Sequence, residues 1–240
     1  MRKPLSILLL MLAVVLASCD DGKVEENVVT TIEGRTVKMT GKISGIDKWT
    51  DGYTVALAGF KDDDVYAVVL RNLSQNETGS YDVVLPGITD KVNSVELCIL
   101  NRLHQRVATI RALSDESVLR RDTIPFDVGS VDASMFNIIQ TQFFSPTCAN
   151  CHGASSQAAA GLNLTEGKSY ASLIGHPSKK MEGKNIVEPG SPANSVLYVA
   201  LTTDVSITGG WRINHLDQVG NNDGNLLEII ENWIKNGAEE

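Results

Sequence analysis

The stretch "SMFNIIQTQFFSPTCANCHG", residues 134–153, is where the chain changes character. Its first half sets Phe136, Ile139 and Phe143 at i, i+3 and i+7, the apolar stripe of a helix. Its second half holds two cysteines three apart, with a histidine directly after the second. Upstream the apolar period is two instead. Val37, Met39 and Ile43 fall at even spacings, followed by "YTVALAGF" (53–60), "VYAVVL" (65–70), "YDVVLP" (81–86), "SVELCIL" (94–100) and "RVATIRAL" (106–113). Turn-forming clusters such as "TDG", "KDDD", "SQNETGS" and "PGITDK" separate these runs. Short strands recurring at about ten-residue spacing predict an antiparallel sandwich of six or seven strands over 36–128. Downstream, Ser191 and Pro192 read as the start of a helix, and "DGNLLEIIENWIKNGA" (223–238) carries Leu226, Leu227, Ile230, Trp233 and Ile234 on one side before stopping at Gly237. The expected fold is therefore multidomain: an N-terminal all-β sandwich and a C-terminal all-α unit over 129–240.

The other end of the chain sets the compartment. "MRKPLSILLLMLAVVLASC" (1–19) has a basic start at Arg2 and Lys3, an apolar run from Leu5 to Leu16, and small residues before Cys19. That apolar run is shorter than the roughly 20 residues a permanent span needs, so residues 1–18 read as a secretory signal peptide. The ending "LASC" resembles the bacterial lipoprotein processing box, which implies that Cys19 is lipidated and becomes the mature N-terminus. Residues 19–35 are polar and form a tether. The expected place is the bacterial cell envelope, on a membrane by its lipid anchor, facing the periplasm or the cell surface. Asp20 and Asp21 follow the anchor and do not choose between membranes. Lys and Arg total 21 against 29 Asp and Glu, a net charge of -8. Such a chain has nothing to gain from a polyphosphate backbone, so nucleic acid is not expected as a partner.

Three chemistries use closely spaced cysteine and histidine: a zinc knuckle, a dithiol couple and covalent haem attachment. Zinc wants a second pair of ligands at short spacing. His104, His176 and His215 are scattered, and Cys98 lies in a strand-like run, where it reads as a small buried apolar residue. A dithiol couple opens a helix after a strand, whereas a helical stripe comes first here. Haem attachment accounts for every feature of "CANCH". Two thiols on one turn add across the vinyl groups of a porphyrin, the adjacent imidazole meets the iron, and export supplies the compartment.

Four motifs then occur in order: "CANCHG" (148–153), "GLNL" (161–164), "PGSPANSVLY" (189–198) and "WIKNGA" (233–238). In this the region from about Val131 onward resembles a class I c-type cytochrome domain of the bacterial, membrane-anchored, monohaem kind. The resemblance implies one covalently bound haem c, with Cys148 and Cys151 as thioether positions and His152 as the proximal iron ligand. Leu162, Leu164 and Trp233 are read as lining the haem pocket, together with Phe136, Ile139, Phe143 and Leu197.

The chain departs from that family at one place. Such domains carry a methionine in the loop before the terminal helix, and no methionine follows Met181 here. His215 occupies that position, so bis-histidine ligation by His152 and His215 is expected. Met181, His176 and a vacant sixth position are the alternatives. The expected activity is electron transfer with redox partner proteins, and not enzymatic turnover. A surface protein that binds glycan or senses redox state or gas is a second reading; a peroxidase with a transiently vacant sixth site is a third, against which the loops offer no distal His with a paired Arg beyond His215 and Arg212.

Overall fold

The computed structural model describes residues 33–113, 122–153, 158–205, 211, 213–219 and 224–240. The expected signal peptide lies outside the described residues, as do Cys19, Asp20, Asp21 and Arg212. Where the apolar period is two, strands form: β1 (Arg35–Ser44), β2 (Tyr53–Phe60), β3 (Val69–Asn72), β4 (Ser80–Ile88), β5 (Ser94–Asn101), β6 (Arg106–Leu113) and β7 (Thr123–Asp132). They make two sheets, ordered β4-β1-β7 and β3-β2-β5-β6. Alternate residues of both sheets, among them Val37 and Met39, Val55 and Leu57, Leu97 and Ile99, and Ile124 and Phe126, meet in one apolar core. The two inner strands β2 and β5 are buried on their second face as well, where Ala56, Ala58, Phe60, Cys98 and Leu100 form a smaller cluster.

Two details differ from the expectation. The sandwich is not purely antiparallel, because β1 pairs antiparallel with β4 and parallel with β7. And of "VYAVVL" only Val69 and Leu70 enter a strand. The preceding residues turn instead: the Asp64 carboxylate accepts a hydrogen bond from the Tyr66 amide at 3.0 Å, and Tyr66 makes an isolated bridge with Gln105.

The larger correction concerns residues 129–240. No all-α cytochrome c domain is found there; the protein is mainly β, and the described residues after β7 hold four short helices. These are α1 (Met135–Ile139), α2 (Ser169–Leu173), α3 (Val196–Thr202) and α4 (Gly224–Lys235), of 5, 5, 7 and 12 residues. The rest is tight turns and irregular chain. The expected long stripe through Phe136, Ile139 and Phe143 breaks at Gln140, where the helix widens into a single wide turn (Gln140–Phe144) with the Ser145 amide bonded to the Gln140 carbonyl at 2.8 Å. Ser191 and Pro192 likewise open a three-residue 3-10 turn, and α3 begins only after Ser195.

Helices this short cannot be stable by themselves or bury a core among themselves. Their apolar faces complete the sandwich core instead. Phe136, Ile139, Phe143, Leu173, Leu197, Ile230 and Trp233 belong to the same cluster as Val37, Leu97 and Ile124, and Glu33–Glu240 forms one compact unit. Polar bonds seal the seam. Trp49 Nε1 donates to the Ala133 carbonyl at 2.5 Å, and the Tyr53 hydroxyl donates to Glu228 at 2.8 Å while accepting from Asn232 at 3.1 Å. Gly45, at φ 74°, lies so close to the start of α1 that a Cβ there would stand 2.5 Å from the Ser134 amide nitrogen. Among the described residues no helix is long and apolar enough to cross a membrane.

Candidate functional site

The cysteine cluster forms immediately after the wide turn. Cys148–Asn150 is one 3-10 turn, and the Cys148 carbonyl accepts from both the Cys151 amide (3.1 Å) and the His152 amide (2.8 Å). Both thiols and the imidazole are thus wound onto a single turn. Neither cysteine is in a disulfide; Cys148 is half-buried against the core, and Cys151 is exposed. Burial, with the second thiol alongside, pushes the Cys148 thiol up to about 12. Dithiol exchange through Cys148 needs its thiolate, which this burial opposes. Among the described residues no group of three or more His, Cys, Asp or Glu side chains is gathered for a metal ion.

The imidazole of His152 is held by its neighbours. Its Nδ1 lies 2.9 Å from the Ala159 carbonyl, which can only accept, so Nδ1 donates and Nε2 is the nitrogen left for another partner. The chain then folds back, and the Leu164 amide donates to the His152 carbonyl at 2.7 Å. Behind this loop sits Gln140, a buried polar residue. Its amide nitrogen donates to the Leu164 carbonyl (3.1 Å) and to Ser145 Oγ (3.0 Å), while its oxygen accepts from the Ser169 hydroxyl. One side chain therefore ties the wide turn, the "GLNL" segment and α2 together.

His215 opens a short turn (His215–Gln218) capped by Asn214, whose side chain accepts from the Leu216 amide at 3.2 Å. Its ring lies beside that of His152, with 6.1 Å between the ring centres and 34° between the planes. Burial lowers its basicity, and the neighbouring His152 adds to that. The Ile213 carbonyl works the other way, yet Nδ1 is buried with no hydrogen-bond partner among the described residues. The Trp211 ring stands nearly perpendicular to that of His215, with 5.2 Å between centres and 83° between planes. Ile213 and Leu216, either side of it in sequence, are apolar and exposed.

The other expected residues fall as follows. Leu164 is buried and Leu162 half-buried against the core. Trp233 is buried, donates from Nε1 to the Glu239 carbonyl at 2.7 Å, and packs on Phe136 at 5.3 Å, so it anchors α4 to α1. Ile139, Phe143 and Leu197 are core. Met181 is half-buried in the loop closed by the bridges Ile174↔Val187 and Pro177↔Asn185, and His176 is exposed. Of the candidates for the sixth position, it is His215 whose ring meets His152.

The donor set suits a covalently held haem. His152 and His215, with 6.1 Å between ring centres, would be the two imidazoles able to ligate its iron. The thiols and the His152 imidazole lie on one turn, and the His215 ring faces that imidazole. Sequence reading missed Gln140, Trp211 and the Ala159 carbonyl. A glutamine interrupting an apolar stripe was a legible signal for the first, and a tryptophan four residues before the histidine for the second; a carbonyl leaves none. Comparisons with family models, with curated proteins and with solved structures found no match to this chain.

Proposed function

We propose that this protein is a lipid-anchored electron carrier of the bacterial cell envelope. One haem c is held by thioether bonds to Cys148 and Cys151, with His152 and His215 as iron ligands. The observation that carries this reading is the His152–His215 ring pair, 6.1 Å apart, beside the turn that holds both thiols. Bound haem supplies a one-electron couple between ferric and ferrous iron.

The chain's own residues supply the rest. The Ala159 carbonyl fixes the tautomer and direction of His152, as a ligand's outer partner does in metal sites generally. Burial keeps His215 neutral, the form in which an imidazole ligates. Leu164, Phe143 and Leu197 bring apolar bulk to this part of the core, which limits water and so tunes the potential. Two imidazoles, in place of imidazole and thioether, favour the lower end of the c-type potential range. Lipidation at Cys19 would fix the carrier to a membrane, where redox proteins in the same layer are its partners.

The test is the mass and spectrum of the mature protein made in cells with a c-haem assembly system. The expected result is one added haem, a c-type pyridine haemochrome spectrum, and loss of both in the Cys148→Ala/Cys151→Ala double variant. A mature chain of unmodified mass in its core region would sink the proposal. Ferrous wild type is expected to leave carbon monoxide unbound, and His215→Ala to bind it.

A further inference from the structure

The two imidazoles are held by different means. His152 is oriented by a hydrogen bond from Nδ1 to the Ala159 carbonyl and by its place on the cysteine turn. His215 is held less firmly: the Ile213 carbonyl interacts with its ring, yet Nδ1 is buried with no hydrogen-bond partner of good geometry among the described residues. Asn214 fixes the backbone of the turn through the Leu216 amide and Asp217, and makes no bond to the ring itself. The ring therefore needs a lateral support. Trp211 offers one, its ring nearly perpendicular to the imidazole at 5.2 Å, within the range in which edge-to-face aromatic pairs attract. Trp211 is half-buried, so part of its surface is already committed to the protein.

We infer that Trp211 is a positioning residue that clamps the His215 ring toward His152, doing by aromatic packing what the Ala159 carbonyl does for His152 by hydrogen bonding. Its consequence is a ligand set with one rigid and one packed side. Removing the packing frees His215 while His152 and the thioethers stay in place. The inference rests on the haem reading for its functional meaning, yet the clamp itself exists in the haem-free chain.

The experiment uses the full-length, haem-loaded protein and the variants Trp211→Ala, Trp211→Leu and Trp211→Phe, with His215→Ala as the reference for a lost ligand. Haem content and far-ultraviolet circular dichroism establish that each variant is loaded and folded. Trp211→Ala and Trp211→Leu are expected to raise carbon monoxide binding by the ferrous protein about tenfold over wild type, and to shift the ferric spectrum toward the high-spin form of His215→Ala. Trp211→Phe, which keeps an aromatic edge, is expected to stay low-spin and close to wild type. Trp211→Leu serves as the test if Trp211→Ala does not fold. Alanine and leucine variants that remain low-spin and inert to carbon monoxide would overturn the clamp, as would a phenylalanine variant that behaves like them. If wild type takes up no haem, the proposed function falls by itself. Nuclear Overhauser contacts between the Trp211 indole and His215 imidazole protons in the haem-free chain then decide the clamp: their presence upholds it and their absence overturns it.

Discussion

The two sheets and the segment that follows β7 reach order by different routes. In the sheets, the backbone satisfies itself: ladders run through β4-β1-β7 and β3-β2-β5-β6, and side chains need only alternate. After Ser134 regular ladders are few, and side chains take over the accounting of backbone groups. Gln140 holds the Leu164 carbonyl; Ser195 Oγ accepts from the Glu188 amide at 2.8 Å and donates to the Ser191 carbonyl at 2.9 Å; Asn163 Oδ1 accepts from the Thr165 amide at 3.1 Å. Yet both regions share one apolar core. One polar residue, Gln140, thus ties three segments of the second region together, while core residues serve both regions.

The largest test of that contrast is Leu97→Ala. Leu97 is fully buried where β5 meets β2, and losing it is expected to cost about 2 to 5 kcal/mol. Because the core is shared, calorimetry should show one lower transition; a second transition left at the wild-type temperature would break the picture of one cooperative unit. Next in size is Gln140→Ala, which strands the Leu164 carbonyl and the Ser169 hydroxyl and should cost about 1 to 3 kcal/mol. Hydrogen exchange is expected to quicken at the Leu164 amide and leave the β5 amides protected. Uniform loss of protection would mean that Gln140 supports the whole fold and not its region.

The smallest effect is expected at the seam. Tyr53→Phe removes the bonds to Glu228 and Asn232 and should cost about 0.5 to 1.5 kcal/mol. Burial first, and then Glu228, raises the Tyr53 pKa above its ordinary 10.0. The folded state therefore favours the neutral phenol: its contribution is whole below pH 10.0 and declines as pH rises beyond it. Urea midpoints taken through the alkaline range should fall more steeply for wild type than for Tyr53→Phe. Equal slopes would remove Tyr53 from the seam.

Much of the sheet region was readable as text. Alternation in "YTVALAGF" and "SVELCIL" marks β2 and β5, and both runs are apolar enough to be buried on two faces, as they are. Alternation carries no direction, however, so the parallel partner of β1 was invisible. In "VYAVVL" composition pointed to a strand through Val65 and Tyr66, where the bond between Asp64 and the Tyr66 amide favours a turn. The helical stripe at Phe136 and Ile139 was real but short, because Gln140 leaves the α-helical pattern to bond Leu164 and Ser169. At the site, Cys148, Cys151 and His152 were legible because they lie within five consecutive residues. His215 was picked out by a missing methionine and not by any local pattern.

Local spacing alone marked β1, β2, β4, β5 and β6 and the turn that carries the thiols, since each depends on neighbours within a few positions. Only the tertiary structure decided that the short helices complete the sheets' core in place of building their own, that β7 lies parallel to β1, and that the His215 ring meets His152 against Trp211. Those outcomes turn on contacts between residues tens of positions apart, where burial of apolar surface outweighs local preference and no periodicity records the partner.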